Sequence, residues 1–215
     1  IQTSHGTRVT SSFDIVNEGK IIGSFDLASP GFHNALNATV AVAVAVDLGL
    51  SMEKIKKGIS QFAGVARRFQ YRGEINGVSF IDDYAHLPTE VQSALEAAKA
   101  GKWNRIVAVF QPHRFTRTSD LASAFSDCFQ DADEIVITGI YSAGEKAIPG
   151  VTGKLIADAV ASKAIEKNVR YCEHREDLIV FLRELLVEGD LCLTLGAGDL
   201  TNIVDQLMGA LEDGQ

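Results

Sequence analysis

The sequence predicts an α/β protein, and three observations lead to this prediction. After residue 81, short apolar segments alternate with helical segments as far as residue 211. The apolar segments are nearly continuous hydrophobic runs, which are typical of parallel strands covered on both faces. Hydrophobic residues make up 46% of the 215 residues, enough for a sizeable core. We therefore expect a Rossmann-like, doubly wound, mostly parallel sheet in the C-terminal part, preceded by a smaller α/β part.

The first 66 residues predict a hairpin followed by two helices. Two strands, at 7–16 and 21–27, flank a turn at Asn17-Glu18-Gly19-Lys20. Helices are expected at 33–49 and 51–62. Alanine and valine occur on every side of the first helix, so we expect it to be buried all round. The segment GVARR at 64–68 then interrupts the periodicity, and we place a domain boundary after residue 66.

The remaining residues predict a hairpin and then a regular alternation of helices and strands. The hairpin covers 69–81, and its turn is Asn76-Gly77. Helices are predicted at 89–100 with Thr89 as the N-cap, and at 119–128, 153–162, 175–186 and 200–211. The strands between them are 105–110, 134–138, 169–172 and 191–195.

Composition and charge argue against several classes of protein. The net charge is −8 and no basic patch stands out, so we expect no nucleic-acid partner. No apolar run reaches the roughly 18 residues of a membrane span. The three cysteines are far apart and lack metal-ligand spacing, which predicts reduced core residues of a cytoplasmic protein and no metal site. The chain starts at Ile1 without a signal-like segment, and we expect it to be a fragment of a longer protein.

Polar or glycine-rich segments follow the predicted strands. In an open parallel sheet, ligands bind at the carboxyl ends of the strands, so these segments are expected to form one site. The segments are Asp82-Asp83-Tyr84-Ala85-His86, 111–118, 139–145, Glu173-His174-Arg175 and Gly196-Ala197-Gly198-Asp199.

Each of these segments also has a purely structural interpretation. Asp82 and Asp83 could bind a metal, orient a base or simply cap a helix. Arg114 and Arg117, three apart, could clamp a carboxylate or phosphate, or could be two solvated arginines. His86 could equally make a structural hydrogen bond.

The chain carries no recognised nucleotide-binding motif. Gly196-Ala197-Gly198 lacks the third glycine of a dinucleotide fingerprint, although it precedes a helix that could receive an anion. The segment 150–154 is too short for a phosphate loop and continues with Leu155. If the protein uses ATP, its phosphate loop therefore lies outside this chain.

Six stretches, in order along the chain, resemble the Mur ligases. They are GFHNALNA (31–38), GVARRF (64–69), DDYAHLPTE (82–90), FQPHRFTRT (110–118), YSAGE (141–145) and TLGAGDLT (194–201). They look most like the branch of the family that joins L-alanine to UDP-N-acetylmuramate, and the combination of DDYAH with FQPHRFTRT is specific.

The resemblance implies a function and a domain organisation. The expected activity is an ATP- and Mg²⁺-dependent amide ligation in peptidoglycan synthesis, through an acyl phosphate that the amine of L-alanine attacks. Residues 1–66 would be the end of a central ATP-binding domain, and residues 67–215 the C-terminal, amino-acid-binding domain. The substrates would be UDP-N-acetylmuramate and L-alanine, and the upstream domains of the same polypeptide would supply the phosphate loop and most metal ligands. The isolated fragment is expected to be inactive.

The resemblance also implies roles for individual residues. His33, Asn34 and Asn37 would contact the adenine, and Arg68 and Asp83 would serve catalysis at the ATP. The positions near the incoming alanine would be Tyr84, His86, Arg114 and Arg117. The family usually has a second histidine where this chain has Leu87, and we expect Leu87 only to pack.

Two other functions remain open at this point. One is a related ligase that attaches a recycled tripeptide to the muramyl sugar, although FQPHR favours the alanine-adding branch. The other is a non-catalytic Rossmann-like module that binds a small anion.

Overall fold

The computed structural model describes residues 2–4, 10–62, 64–163 and 166–212. The chain divides between residues 66 and 67 into a first unit and a second unit, which holds nearly all of the remainder. The elements of the first unit are β1 (Gln2–Ser4), β2 (Thr10–Asn17), β3 (Lys20–Leu27), α1 (Phe32–Asp47) and α2 (Met52–Gln61). Those of the second are β4 (Gln70–Ile75), β5 (Val78–Asp83), α3 (Pro88–Lys99), β6 (Arg105–Phe110), α4 (Phe115–Leu121), a 3₁₀ helix (Ala122–Asp127), β7 (Glu134–Thr138), α5 (Lys154–Lys163), β8 (Asn168–Cys172), α6 (Arg175–Leu185), β9 (Asp190–Leu195) and α7 (Thr201–Glu212).

The second unit contains a six-stranded sheet in the order β4-β5-β9-β6-β7-β8. All neighbouring strands are parallel except the β4–β5 hairpin at one edge. The predicted α/β fold with a Rossmann-like, mostly parallel sheet is therefore confirmed. The strands predicted at 105–110 and 134–138 match β6 and β7 residue for residue.

Helices cover both faces of this sheet because successive strand residues point to opposite sides. In β6, Ala108 and Phe110 enter one core with residues of α3, the 3₁₀ helix and α5. Val107 and Val109 enter the other core, with residues of α6 and α7. Both sets of strand side chains are fully buried, which explains why the strand reads as one continuous apolar run.

The first unit is a three-stranded antiparallel sheet, β1-β2-β3, with two helices. Phe13 and Phe25 stack across β2 and β3 at 5.8 Å between ring centroids, and buried residues of α1 and α2 belong to the same core. The predicted turns are confirmed in both units. Glu18 and Gly19, and likewise Asn76 and Gly77, have the consecutive positive φ angles of a tight hairpin turn. Part of the strand predicted at 7–16, namely 7–9, lies outside the described residues.

Six of the seven predicted helix starts differ from the structure, that of α4 by four residues and the other five by one. The helix expected at 119–128 begins at residue 115 and continues as a 3₁₀ helix. Its start is held by Glu145, whose carboxylate accepts from the backbone N–H and the hydroxyl of Thr116; this cap comes from 29 residues away and has no local signal. The helix predicted from Thr89 begins at Pro88, and Glu90 accepts the free N–H of Leu87 just before it.

The expectation that α1 is buried all round is wrong for this chain. Ala35, Ala38 and Val42 are buried on one side, but large apolar side chains on the other side are exposed. No helix in the described part of the chain is long and apolar enough to cross a membrane.

Candidate active site

The loops that follow β5, β9, β6 and β7 lie side by side at the carboxyl edge of the sheet. The backbone N–H of Gly196 donates to the carbonyl of Asp83 at 3.0 Å, and that of Gln111 donates to the carbonyl of Leu195 at 2.9 Å. Beyond them, Arg114 donates its N–H to the carbonyl of Tyr141 at 2.8 Å. The strand order thus brings together four loops whose hydrogen-bonded residues are 27 to 113 positions apart in sequence, and they form a single edge.

Four aromatic rings form a continuous row along this edge. The ring of Tyr84 lies 5.4 Å from that of His86, which lies 5.6 Å from His113, which lies 5.7 Å from Tyr141. The guanidinium of Arg67 lies 4.9 Å from the centroid of the Tyr84 ring. Three strand-end loops therefore contribute to one surface of adjacent rings, of which only His113 and Tyr141 are stacked, and this surface ends in a cationic group.

The two histidines in the row carry opposite hydrogen-bonding roles. Nδ1 of His86 lies 3.0 Å from the carbonyl oxygen of Tyr84 and 3.2 Å from a carboxylate oxygen of Glu90. Both partners can only accept, so this nitrogen carries a proton, and neutral His86 has its lone pair on Nε2. Nδ1 of His113 lies 3.0 Å from Nη1 of Arg117, which can only donate. His113 therefore accepts at Nδ1 and carries its proton on Nε2.

His113 is held in its neutral form. Burial lowers the pKa of His113, and the charges of Arg117, His86 and Arg114 lower it further, against an opposing effect of Glu145. The edge consequently presents a neutral imidazole donor, His113, next to a second imidazole whose Nε2 accepts when that ring is neutral.

The two aspartates at the end of β5 have different partners because they point to opposite faces of the sheet. Asp82 is buried and accepts from the hydroxyls of Thr194 at 2.7 Å and Thr201 at 2.8 Å, and from Nε of Arg67 at 3.3 Å. These bonds join β5 to β9 and to the start of α7. Asp82 is therefore an internal anchor that also orients Arg67 towards the edge.

Asp83 fixes the backbone around the edge. Its two carboxylate oxygens accept from the N–H groups of Phe69 and Ala85, each at 2.7 Å. Burial raises the pKa of Asp83, while these two backbone bonds and the charge of Arg68 lower it in part. Asp83 thus lies at the strand end where the sequence predicts a catalytic residue, and both of its carboxylate oxygens accept hydrogen bonds from the backbone.

The two predicted substrate arginines differ in their freedom. Arg114 has a positive φ of 73° and an exposed side chain, 4.0 Å from Glu145. Arg117 lies in α4 and is bound to His113. Arg114 is therefore available to an anionic ligand, whereas Arg117 sets the hydrogen bonding of His113.

The glycines after β9 allow a close approach of the loop to its neighbours. A Cβ atom on Gly198 would lie 2.5 Å from Cγ of Tyr141 and would also overlap the side-chain oxygen of Gln111. Gln111 in turn donates to Asp199 at 2.8 Å and accepts from the N–H of Leu200 at 3.2 Å. The sequence analysis suggested that the start of α7 could receive an anion. The N–H of Leu200 at that point is instead bonded to Gln111.

The three residues expected to contact adenine all lie at the start of α1 in the first unit. His33 and Asn37 are exposed and one helical turn apart, while the amide of Asn34 donates to the carbonyl of Pro30 at 2.7 Å. Among the residues that the structure describes, no group of three or more histidines, cysteines and carboxylates could hold a metal ion.

Four residues of the edge were given no individual role by the sequence analysis, although two of them lie in segments that it expected at the site. Arg67, Glu90, His113 and Tyr141 all contact predicted site residues. His113 and Tyr141 lie within stretches that carried the family resemblance, so their position was the only available signal. Nothing in the sequence distinguished Arg67 from its neighbour Arg68.

The chain belongs to the Mur ligase family. Residues 67–198 match the family described as Mur ligase, glutamate ligase domain. Two relatives described as UDP-N-acetylmuramate–L-alanine ligase, from Pelotomaculum thermopropionicum and Myxococcus xanthus, are each 42% identical, over 97% and 94% of this chain. The chain covers only 45% and 43% of those two proteins, so it spans less than half the length of the relatives it matches.

The solved structures agree with this assignment. The UDP-N-acetylmuramate–alanine ligase of Thermotoga maritima superposes with a TM-score of 0.80 at 28% identity, over 99% of this chain and 45% of that one. A murein peptide ligase from Psychrobacter arcticus superposes with a TM-score of 0.65 at 24% identity, over 96% of this chain and 42% of that one; at this identity the likeness concerns the fold alone.

Proposed function

We propose that this chain is part of an ATP-dependent ligase that joins L-alanine to UDP-N-acetylmuramate in peptidoglycan synthesis, through an acyl-phosphate intermediate. The observation that carries the proposal is the row of Tyr84, His86 and His113 beside Arg114 on one sheet edge. The 42% identity to two relatives described as alanine ligases supports the choice of reaction. In this proposal residues 1–66 end a central ATP-binding domain, residues 67–215 form the amino-acid-binding domain, and the protein works in the cytoplasm.

The edge offers the groups that a free amino acid needs. Exposed Arg114 is the cation for the substrate carboxylate, and Arg117 supports it by holding His113. The amine must lose a proton before it can attack an acyl phosphate. Nε2 of His86 is the proposed proton acceptor, because Nδ1 of the same ring is already bonded to the carbonyl of Tyr84 and the carboxylate of Glu90. Tyr84 closes the row as an apolar wall for a small side chain such as that of alanine.

ATP and Mg²⁺ are bound mainly by the rest of the polypeptide in this proposal. His33 and Asn37, exposed and one turn apart, fit an adenine contact, and Asn34 supports the loop before them through Pro30. The described residues contain no metal-binding cluster and the sequence contains no phosphate loop. ATP would supply the phosphoryl group that activates the muramyl carboxylate. Arg68, exposed beside the Tyr84 ring at 5.5 Å, is the cation of this chain proposed for its phosphates.

A coupled phosphate-release assay on the protein encoded by the complete gene tests the proposal. Release that needs ATP, UDP-N-acetylmuramate and L-alanine together is expected, with slower release for glycine and serine. Release that needs the tripeptide L-alanyl-γ-D-glutamyl-diaminopimelate instead would assign the recycling reaction. No release with any acceptor, from a folded protein that binds a small anion, would make the chain a binding module. The 215-residue chain alone is expected to release no phosphate.

Two substitutions in the complete protein test the catalytic assignments. Arg68→Ala should lower kcat by about 10²- to 10³-fold, the usual effect of losing a charge contact in the transition state. Asp83→Asn should lower kcat by a similar factor, because the amide keeps only one of the two acceptors that hold the backbone at Phe69 and Ala85. Lys154→Ala is the matched control, because Lys154 forms an exposed ion pair with Asp158 on α5. Unchanged kcat in a folded variant would remove that residue from the catalytic set.

A further inference from the structure

Arg114 and Glu145 place opposite charges side by side at the edge of the sheet, too far apart to be hydrogen-bonded to each other. Nη1 of Arg114 lies 4.0 Å from Oε1 of Glu145, beyond the roughly 3.2 Å of an ordinary N–H···O hydrogen bond. The side chain of Arg114 is 49% exposed and that of Glu145 is 23% exposed. Both charges are therefore accessible to a ligand, and together they form a short dipole at the surface.

Glu145 is fixed in place and still has acceptor capacity. Its Oε1 accepts from the hydroxyl of Thr116 at 2.7 Å, and its Oε2 accepts from the backbone N–H of Thr116 at 3.1 Å. These two bonds, a contact with the N–H of Phe115 and the charge of Arg114 lower the pKa of Glu145, so the group is ionised at neutral pH. A carboxylate has about four acceptor positions, and these three donors leave one for a further cation.

Strained backbone holds both members of the pair. Arg114 has a φ of 73°, and Ala143, two residues before Glu145, has a φ of 49°. Both angles lie in the left-handed region, which is unfavourable for residues other than glycine. Hydrogen bonds maintain the two conformations: the N–H of Arg114 donates to the carbonyl of Tyr141 at 2.8 Å, and that of Glu145 to the carbonyl of Ser142 at 3.0 Å. Strain that is maintained in this way is typical of residues that bind ligands.

The two neighbouring charges match the backbone of a free α-amino acid. In the zwitterion of an amino acid, the ammonium group and the carboxylate are attached to the same carbon, so its two charges also lie side by side. An antiparallel arrangement places the carboxylate on the guanidinium of Arg114 and the ammonium group on the carboxylate of Glu145. The N-terminus of a peptide offers only the ammonium group, because the adjacent carbonyl belongs to an uncharged amide.

We propose that Arg114 and Glu145 form a clamp for the zwitterion of a free α-amino acid, in which Arg114 binds the carboxylate and Glu145 binds the ammonium group. The inference rests on the proposed function, which already assigns Arg114 to the substrate carboxylate, and it adds Glu145 as a substrate-binding residue. Glu145 binds the protonated amine, and the transfer of a proton to His86 follows binding. The clamp also selects the class of substrate, because a tripeptide acceptor has no carboxylate on the carbon that carries its reacting amine.

Binding measured by NMR on the isotope-labelled 215-residue chain tests the clamp without the reaction. The ligands are L-alanine, propionate, which lacks the ammonium group, and L-alaninamide, which lacks the carboxylate. The backbone N–H signals of Thr116 and Glu145 report on the clamp, because these groups donate to Glu145 and to the turn that carries it. L-Alanine is expected to bind at least about tenfold more tightly than either analogue, since each analogue leaves one charge of the clamp unpaired.

Glu145→Gln distinguishes the clamp from a purely structural role. The amide keeps an acceptor for Thr116 but removes the charge, so L-alanine should bind at least about tenfold more weakly. Propionate should bind equally well or more tightly, because a like charge beside its carboxylate is gone. Arg114→Gln should weaken the binding of both ligands. Glu96→Gln on α3, which changes an exposed carboxylate bonded to Gln92, is the matched control and should affect neither.

A parallel loss of L-alanine and propionate binding in Glu145→Gln would assign Glu145 to the start of α4 alone and overturn the clamp. L-Alanine that binds no more tightly than propionate to the unchanged chain would also overturn it. In the protein encoded by the complete gene, Glu145→Gln should raise KM for L-alanine at least about tenfold and leave KM for ATP unchanged, and an unchanged KM for L-alanine would contradict the clamp. Binding that depends on Glu145 in a protein that releases no phosphate would retain the clamp and reject the ligase.

Discussion

Replacing Arg67 with alanine should destabilise the second unit far more than replacing its neighbour Arg68. Both guanidinium groups lie over the ring of Tyr84, at 4.9 and 5.5 Å from its centroid. Only that of Arg67 also donates to Oδ2 of buried Asp82 at 3.3 Å and to the carbonyl of Gly196 at 2.5 Å. The two variants therefore share the aromatic contact and differ in the hydrogen bonds.

The magnitude follows from those contacts. Hydrogen bonds that involve a charged group contribute roughly 1.5–3 kcal/mol each, and Arg67→Ala loses two, one of them to a buried carboxylate that keeps its two threonine donors. The Arg67 side chain is 24% exposed, so solvent screens part of this. We expect a loss of about 3 kcal/mol for Arg67→Ala. For Arg68→Ala, which loses an exposed aromatic contact and a favourable charge interaction with Asp83, we expect about 1 kcal/mol.

Urea unfolding of the 215-residue chain measures both values. Trp103 is the only tryptophan and lies in the second unit, so its fluorescence follows that unit alone. With a slope of about 2 kcal/mol per M, Arg67→Ala should lower the midpoint by about 1.5 M. Equal midpoints for the two variants, or a loss below about 1 kcal/mol for Arg67→Ala, would refute the anchoring role of Arg67.

Three further predictions concern the same unit. Gly198→Ala should lower the stability of the unit by about 1–3 kcal/mol in urea unfolding, because the new methyl group meets the Tyr141 ring. Gly209→Ala in α7, where a Cβ meets nothing within 4 Å, should be neutral or stabilising. A larger loss of stability for Gly209→Ala than for Gly198→Ala would contradict this packing. Burial and nearby arginines lower the pKa of His113 below about 6.5, so just below that pH the folded state binds fewer protons than the unfolded state. The free energy of unfolding should therefore fall as the pH drops through that range. His113→Asn should weaken this dependence, and an NMR titration of His113 giving a pKa above 6.5 would contradict it. Burial raises the pKa of the thiols of residues 128 and 192 to about 12, and it also raises the pKa of the buried thiol of Cys172. The native chain should therefore react very slowly with a thiol reagent at about pH 8, and rapid native labelling would count against the burial of these cysteines.

Much of the fold was determined by local sequence patterns. The apolar runs at 105–110 and 134–138 predicted β6 and β7 without error, because a strand covered on both faces is apolar at nearly every position. Asn76-Gly77 predicted its hairpin because both residues tolerate a positive φ. The alternation of strands and helices along the chain, with the rule that ligands bind at the carboxyl ends of parallel strands, was also enough to expect Asp83, Arg114 and Gly198 on one edge.

Other features depend on residues that are distant in sequence, so only the tertiary structure decided them. The start of α4 depends on Glu145. The hydrogen bonding of His86 depends on Glu90, and that of His113 depends on Arg117. Arg67 and Arg68 have different roles because only Arg67 binds the buried carboxylate of Asp82. The local sequence pattern indicates whether a side chain is buried and which backbone geometry it adopts. It does not indicate which side chains lie next to it across the sheet. The wrong expectation for α1 has the same origin: the sequence determined that this helix needs cover on every side, and the fold of these 215 residues supplies it on one.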